Sequence, residues 1–448
     1  MTEKPDRDAL IEAVLTELRR QLEAELPPET ATLDEIEAAV TRIGGRLRRD
    51  LQEQIVHRRS RGPRDNRRAC PACGQLARYH TMVPRQITTC HGELRFARPY
   101  YHCPGCRIGF APLDDALGLD AGSTTAQVRE WIIHVATHLP FAPTGALLAR
   151  LTGVSVGEST VERVTVAVGS ALGQAQRAAA TPEQRRLQPP PRHKPPRLYL
   201  SMDGIMTPLR DPWKRDGSCG ALTCRWGECK TAVLYEACPG ENGDAGVARR
   251  AYLATLGDVD CFRPLISTAA RQCGYAYAKE KIVLADGAAW IWVLVASQFP
   301  EAVEIVDYFH ASEHLWTLAR AGFGPDPDAM HAWVRARQEE LLHDRVDAVL
   351  QAIAAWAPRT QTECDLQATE YGYFQQNEHR MQYGTFRAKG YHISSGVMEA
   401  GCKHVVASRL DQAGMHWRPE TAEAVVTLRA ALLSTEPPDL RPYLVMAA

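Results

Sequence analysis

KIVLADGAAWIW, residues 281–292, is a continuous apolar run that breaks at Asp286-Gly287 and then resumes. A run of this kind without alternation suits a strand buried on both faces, and the aspartate at its end leads directly into a helix. Upstream, LYLSMDGIMTP at 198–208 alternates like a strand and leads to a second aspartate, Asp203. Further strand-like runs fall at 229–236 and 302–307, and helices are expected at about 263–278, 287–298 and 309–321. Early strands in hairpin order followed by strand–helix alternation predict an α/β domain over 198–433. Within it, 327–357 and 361–381 read as helical and dense in charge, which makes a helical insertion at about 322–390. A last pair of helices is expected at about 396–411 and 419–433, followed by a tail at 434–448.

Upstream of that domain, TPEQRRLQPPPRHKPPR at 181–197 is Pro-rich and basic, and is expected to be an extended linker. Before it, residues 120–180 form a helical region. There PFAPTGALLARLTGVSVGESTVERVTVAVG at 140–169 has the outline of a helix-turn-helix, with its turn at Gly153 and a second helix opening at Ser159 and Thr160. Residues 58–115 combine a basic connector with a small β-rich module, and from 58 to 107 there are eleven Arg against two acids, Asp65 and Glu93. That imbalance suits a phosphate-binding surface. Residues 1–57 carry apolar stripes (Leu10, Val14, Leu15, Leu18, Leu22; Ile36, Ala39, Val40, Ile43) that predict two helices joined near Pro27-Pro28, a packing or dimerisation element.

The chain of 448 residues is thus expected to be multidomain: N-terminal helices, a β-rich ribbon, a helix-turn-helix region and an α/β domain. Its apolar and charged fractions, 45% and 23%, exclude a chain disordered throughout. No apolar stretch is long enough to span a bilayer, so no membrane partner is expected. The N-terminus MTEKPDRDAL lacks the pattern of a secretion signal, so a cytoplasmic location is expected, with the thirteen cysteines free or metal-bound. The net charge of −1 hides the local basic segment.

Two Cys-x-x-Cys knuckles, Cys70-Pro-Ala-Cys73 and Cys103-Pro-Gly-Cys106, flank the hairpin ITTCHGELRFARPYY at 87–101. Four thiolates on two tight turns match a tetrahedral structural zinc site, one Zn²⁺ in all. Cys90, His91 and His102 are competing ligands, and a redox pair is the alternative chemistry. The module would present Arg85, Arg95 and Arg98 to a partner. In the α/β domain Asp203-Gly204 and Asp286-Gly287 are also favoured turn pairs, so either aspartate alone could be a turn residue. A third acid alters the balance. In ISSGVMEAGCK at 393–403 a helix starts near Ser394-Ser395-Gly396 and places Glu399 in its first turn, outside a capping box.

The order Asp203-Gly204, Asp286-Gly287 with Trp290, then Ser394-Ser395-Gly396 and Glu399, closed by Arg409, Gly414, Met415 and Trp417, resembles bacterial insertion-sequence transposases of the DDE class. It is similar to the Kra group, which carries an N-terminal zinc ribbon and is related to the Mutator superfamily. The resemblance covers most of 66–433 and is specific over 198–208, 281–316 and 371–417. It implies an RNase H-like catalytic domain in which Asp203, Asp286 and Glu399 hold two Mg²⁺ ions, with cleavage of double-stranded DNA at element ends and strand transfer into target DNA. It also implies a homo-oligomer, associated with the nucleoid when bound to DNA. The Mutator Asp-x-x-His element appears as Asp307 to His310, with His310 facing the cleft; Asp411 stands where a DNA-contacting base is expected. Hard Mg²⁺ prefers carboxylate oxygen, and in-line phosphodiester attack suits two ions about 4 Å apart.

His310-Ala-Ser-Glu313-His314 also fits a zinc-peptidase pattern, but that reading leaves the cysteine module and Glu399 unexplained; packing suits His314 better. The stretch from Tyr371 to Lys389 mixes Tyr371, Tyr373, Phe374, Tyr383 and Phe386 with His379, Arg380, Arg387 and Lys389. Phe374 is assigned to packing, and Arg380, Arg387 and Lys389 to DNA. Trp417 either stacks on a base or anchors the last helix. A DNA-binding protein that derives from a transposase and has lost catalysis is the rival; it would show the loss of an acid, and none is lost.

Overall fold

A computed structural model of the chain describes residues 3–60, 65–210, 224–239, 245–323 and 326–445. It divides into two compact units, residues 1–168 with 440–448, and residues 169–439. No helix among the described residues is long and apolar enough to cross a membrane.

The first unit opens with α1 (Glu3–Glu25) and α2 (Leu33–Ser60). Helix α2 starts at Thr32, where the Glu35 carboxylate accepts the Thr32 N–H at 2.8 Å and the Thr32 hydroxyl accepts the Glu35 N–H at 3.4 Å. This reciprocal pair satisfies two orphan donors and sets the helix start. Val56 of α2 shares a small core with Ile87, Leu94 and Phe96. Those three belong to an antiparallel sheet in the order β1 (Arg67–Ala69), β2 (Leu76–Thr89), β3 (Gly92–His102), β4 (Gly109–Phe110). The β2–β3 hairpin closes on Cys90-His91, with Gly92 at φ 107° taking the left-handed conformation the turn requires. After α3 (Pro112–Ala116), α4 (Ala126–Ala136) and α5 (Phe141–Thr152), Gly153 at φ 73° caps α5 and the chain enters α6 (Glu158–Ala179). A Cβ at Gly145 would lie 2.4 Å from the Val156 carbonyl, so α5 and the approach to α6 are in backbone contact.

In the second unit the segment expected to be extended from 181 contains a six-residue helix, α7 (Pro182–Leu187). Thr181 caps it, Pro182 occupies its first turn where a missing N–H is harmless, and the next proline is Pro189. The five-stranded sheet has the order β7-β6-β5-β8-β9, formed by β5 (Arg197–Arg210), β6 (Cys224–Pro239), β7 (Ala245–Thr255), β8 (Glu280–Ala285) and β9 (Val303–Val306). Strands β5, β6 and β7 are antiparallel neighbours, whereas β5, β8 and β9 run parallel. Its parallel crossovers are α8 (Val259–Gln272) and α9 (Ala289–Gln298), and Leu284, Ile305, Ile291 and Phe262 are fully buried in one core. Strand β9 leads into α10 (Tyr308–Phe323), then α11 (Pro327–Leu342), α12 (Val346–Ala354), α13 (Gln361–Asn377) and α14 (Tyr383–Ala388). The chain then forms α15 (Gly396–Gly401), a π-helical segment Cys402–Ala407, α16 (Ser408–Leu410) and α17 (Pro419–Leu433).

Candidate active site

Asp203 lies inside β5 rather than at its end, since the strand continues with β6 as far as Arg210. Pairing with β8 stops at Leu200 opposite Val283, however, and β8 itself ends at Ala285. Carrying that register three residues further sets Asp203 beside Asp286, and laterally adjacent residues of a sheet face the same side. The electrostatics agree. Burial first, and then the negative charge of Asp286, raise the Asp203 carboxyl above its ordinary range, while the Gly204 N–H, Cys402 and His310 pull it back. The Gly204 N–H donates to Asp203 Oδ1 at 2.6 Å, and the Cys402 thiol to Oδ2 at 3.5 Å.

Asp286 does make the turn its Asp-Gly pair suggests, Oδ1 accepting the Ala288 N–H at 2.9 Å. Its main chain is braced from the helical insertion. The Tyr373 hydroxyl of α13 donates to the Asp286 carbonyl at 3.2 Å, and the same ring lies 2.9 Å from where a Cβ on Gly287 would be. Gly287 has φ 101°, so a side chain there would be both strained and obstructed. Behind Tyr373 the His314 ring stacks at 3.7 Å, and His314 Nδ1 is 2.5 Å from the buried Glu370 carboxylate. His314 is therefore a packing residue. Its ring lies 5.3 Å from that of His310, and among the described residues the two histidines are not gathered with a third metal-ligating side chain.

Glu399 is exposed in the first turn of α15, and among the described residues no hydrogen bond or ion pair engages its carboxylate. It stands one turn before Cys402, the residue that touches Asp203, so the two share a helix face. The approach to α15 is fixed by Asp307, which is buried. Its Oδ1 accepts the His310 N–H at 2.7 Å, starting α10, and its Oδ2 accepts the Ser395 N–H. One carboxylate thus joins the helix carrying His310 to the residue that precedes the helix carrying Glu399. Trp417 is a buried anchor: its Nε1 donates to the Leu410 carbonyl at 2.9 Å and its ring packs against the fully buried Arg409 guanidinium. Phe374 is fully buried in the core.

The basic residues divide. Arg85 and Arg98 converge on Asp114, at 2.5 and 2.7 Å, and are largely buried. Arg380 pairs with Glu304 at 2.5 Å over the Trp292 ring. These three guanidinium groups are engaged within the fold, whereas Arg387, Lys389 and Arg95, the last paired with Glu93 at 3.2 Å, are exposed.

In the ribbon, Cys70 and Cys106 sulfurs are 3.5 Å apart, as are Cys73 and Cys103, and all four lie within 4.8 Å of one another. A tetrahedral ion at 2.3 Å from each sulfur would need separations of about 3.8 Å, so the donor set fits zinc. Each knuckle is closed by the same pair of bonds: Cys70 N–H to Gln75 O and Gly74 N–H to Cys70 O, then Cys103 N–H to Ile108 O and Arg107 N–H to Cys103 O. Gly74 and Arg107 occupy equivalent places, both at positive φ, 74° and 60°. Among the described residues this is the one group of three or more metal-ligating side chains so closely gathered; Cys90, His91 and His102 are outside it, and the three acids do not close to that distance.

Three signals escape a residue-by-residue reading of the sequence. Tyr373 and Cys402 act on Asp286 and Asp203 through tertiary contacts, and Glu370 is a buried acid on a helix whose pattern reads as solvated.

No family model matches the chain. A curated relative, the "UPF0236 protein in vanSb 3'region" of Streptococcus gallolyticus, is 32% identical over 122 residues. That match spans 27% of this chain and 25% of the relative's length. Among solved structures, a chain of the Drosophila P element transposase strand transfer complex aligns over 71% of this chain and 81% of that one, at 9% identity and a TM-score of 0.24, too low for the likeness to bear on the fold.

Proposed function

We propose that this chain is a DNA transposase of the DDE class, a nuclease and strand transferase whose α/β unit is an RNase H-like domain with Asp203, Asp286 and Glu399 as its acids. The observation that carries this reading is that Asp203 and Asp286 follow the paired ends of adjacent parallel strands in equivalent places, with the charge of Asp286 near enough to raise the Asp203 carboxyl. Two like charges side by side are costly unless cations neutralise them. The strand order, three antiparallel strands followed by two parallel ones, and an acid-bearing helix one turn from the Asp203 contact support it.

In this reading Asp203, Asp286 and Glu399 would together hold two Mg²⁺ ions, which would supply Lewis acidity to the attacking and leaving oxygens of an in-line displacement. Cys402 and the Gly204 N–H hold the orientation of the Asp203 carboxylate, and Tyr373 fixes the main chain that carries Asp286. Asp307 couples Glu399 to His310, which orients DNA or a water in the cleft. Water as nucleophile cuts the strand; a freed 3′-hydroxyl in the same position joins it. The four cysteines take one structural Zn²⁺, and DNA-backbone contacts fall to Arg95, Arg387, Lys389 and the α5–α6 region. The exposed Ile11, Leu15 and Leu22 on α1 suit a second copy of the chain.

Cleavage and gel-shift assays on Asp286→Asn test the reading. The amide keeps the turn but removes the charge, so Mg²⁺-dependent cleavage of DNA carrying the flanking genomic repeats should fall by about 10³-fold or more, with binding nearly unchanged. Retained cleavage would remove Asp286 from the acids, and absence of any cleavage by the unaltered protein would overturn the enzyme.

A further inference from the structure

At the opposite edge of the sheet from the acids, where α8 turns towards β8 and α9 towards β9, a cavity of about 400 Å³ is lined by Arg185, Arg186, Arg271, Ser267, Tyr275 and Gln298. Helix α9 alone separates this edge from Asp286 by roughly 15 Å. Three arginines line the cavity with no Asp or Glu beside them, Arg186 and Arg271 exposed, and among the described residues none of the three forms an ion pair with a carboxylate. A second cavity of this unit, of about 620 Å³, is different: it also collects three arginines, but Glu236 and Glu436 lie in it, paired with His193 and Arg249. The smaller cavity has cationic charge without that internal compensation.

Its neutral lining combines Pro182, Ala270, Ala276 and Phe299 with three polar side chains. The Ser267 hydroxyl is 2.8 Å from the Gln298 amide oxygen, which leaves the Gln298 amide nitrogen with a long 3.4 Å contact to Ser297. The Tyr275 hydroxyl is buried and has no hydrogen-bond partner among the described residues. Guanidinium forks with an amide donor match the acceptor oxygens of phosphate, and clustered like charges are relieved when such an anion enters. We infer that this cavity is a phosphate-binding site separate from the carboxylates, filled either by a phosphodiester of a nucleic-acid backbone or by free phosphate or pyrophosphate. The nucleic-acid source rests on the transposase reading; the free anion does not.

The test compares the full chain with its Arg185→Gln, Arg186→Gln, Arg271→Gln triple variant. Duplex affinity is measured against salt, and melting with and without inorganic pyrophosphate. If duplex backbone occupies the cavity, the slope of log affinity on log salt falls by about 2 to 3 in the variant, one phosphate contact per arginine. If a free anion does, the slope is unchanged, and pyrophosphate raises the melting midpoint of the unaltered chain but not of the variant. Mass mapping of arginine modification by phenylglyoxal on the unaltered chain keeps the answer independent of variant folding: protection of Arg271 and Arg186 by duplex or by pyrophosphate is expected. An unchanged slope, no shift and no protection would overturn the site. Failure of the unaltered chain to bind duplex at all would count against the transposase reading, leaving the pyrophosphate measurements to decide this one.

Discussion

The four cysteines lie between residues 70 and 106 on one small sheet, with their sulfurs already within 4.8 Å; the three acids come from residues 203, 286 and 399 and stand further apart. The contrast follows from ligand chemistry. A thiol is neutral when protonated, so four can gather on two short turns at little cost. Carboxylates are charged at neutral pH and repel, so a fold that brings them together needs an external brace for each. Asp203 has the Cys402 thiol and its neighbour's N–H, Asp286 has Tyr373 behind its main chain, and Glu399 has Asp307 holding the loop before it. A local site is thus built by turns, and a distributed one by tertiary contacts.

Breaking the local site should have the largest effect. Cys103→Ser, or removal of zinc by a strong chelator, is expected to melt the ribbon at a cost on the order of several kcal/mol. Metal content and limited proteolysis around 66–110 check this; zinc retained at one equivalent with unaltered protease resistance would rule out the four-thiolate ion.

The distributed site should fail by degrees. Gly287→Ala forces a side chain into the Tyr373 ring at a positive φ, and about 1–3 kcal/mol of destabilisation is expected, with cleavage lowered as well. Tyr373→Phe keeps the ring and deletes only the bond to the Asp286 carbonyl, worth about 1 kcal/mol. A roughly fivefold fall in kcat should accompany it, with duplex affinity unaltered. Equal kinetics for Tyr373→Phe and the unaltered protein would show that Asp286 needs no brace.

A pH experiment sharpens the argument from repulsion. Because the Asp203 carboxyl is raised in the folded state, the unfolded chain gives up that proton first as pH rises, and stability is lost from the unfolded value upward until the folded group has also ionised. Asp203→Asn should therefore raise the metal-free melting midpoint at neutral pH and leave it unchanged well below pH 3.8. With Mg²⁺ present the ordering should narrow or reverse. A metal-free midpoint lowered by the amide at neutral pH would contradict the carboxylate pairing. The smallest effect is at the second knuckle: Arg107→Gly relieves a non-glycine left-handed residue and should stabilise the ribbon by about 0.5–1 kcal/mol in denaturant melts.

The legibility of the chain follows the same division. Both knuckles and β8 could be read directly, because spacing within a few residues determines them. Strand β7 is invisible in the sequence pattern: Arg249 and Arg250 interrupt its apolar run, and it is a strand only because it pairs with β6 on one side while Thr435 bonds to Arg250 on its other. The helix at 182–187 is hidden by the prolines that follow it. The acids could be found as residues, and the strand-like run at 198–208 already enclosed Asp203, but Tyr373 could not be recognised as the support of Asp286, since that contact joins positions 87 residues apart.

The π-helical turn at Cys402–Ala407 carries a consequence for how this site could arise. Such a turn holds one residue more than an α-helix needs, and each residue advances the winding by roughly 100°. Deleting a single residue within it would let the hydrogen bonds revert to α spacing and would swing Glu399 by that angle relative to Arg409, which is locked in the interior. The two ends of this segment therefore obey different masters, the inner one the core and the outer one the cleft, and the surplus residue between them acts as a phase adjuster. In the proposed site, single-residue insertions and deletions here, rather than substitutions, are the changes expected to shift Glu399 relative to Asp203.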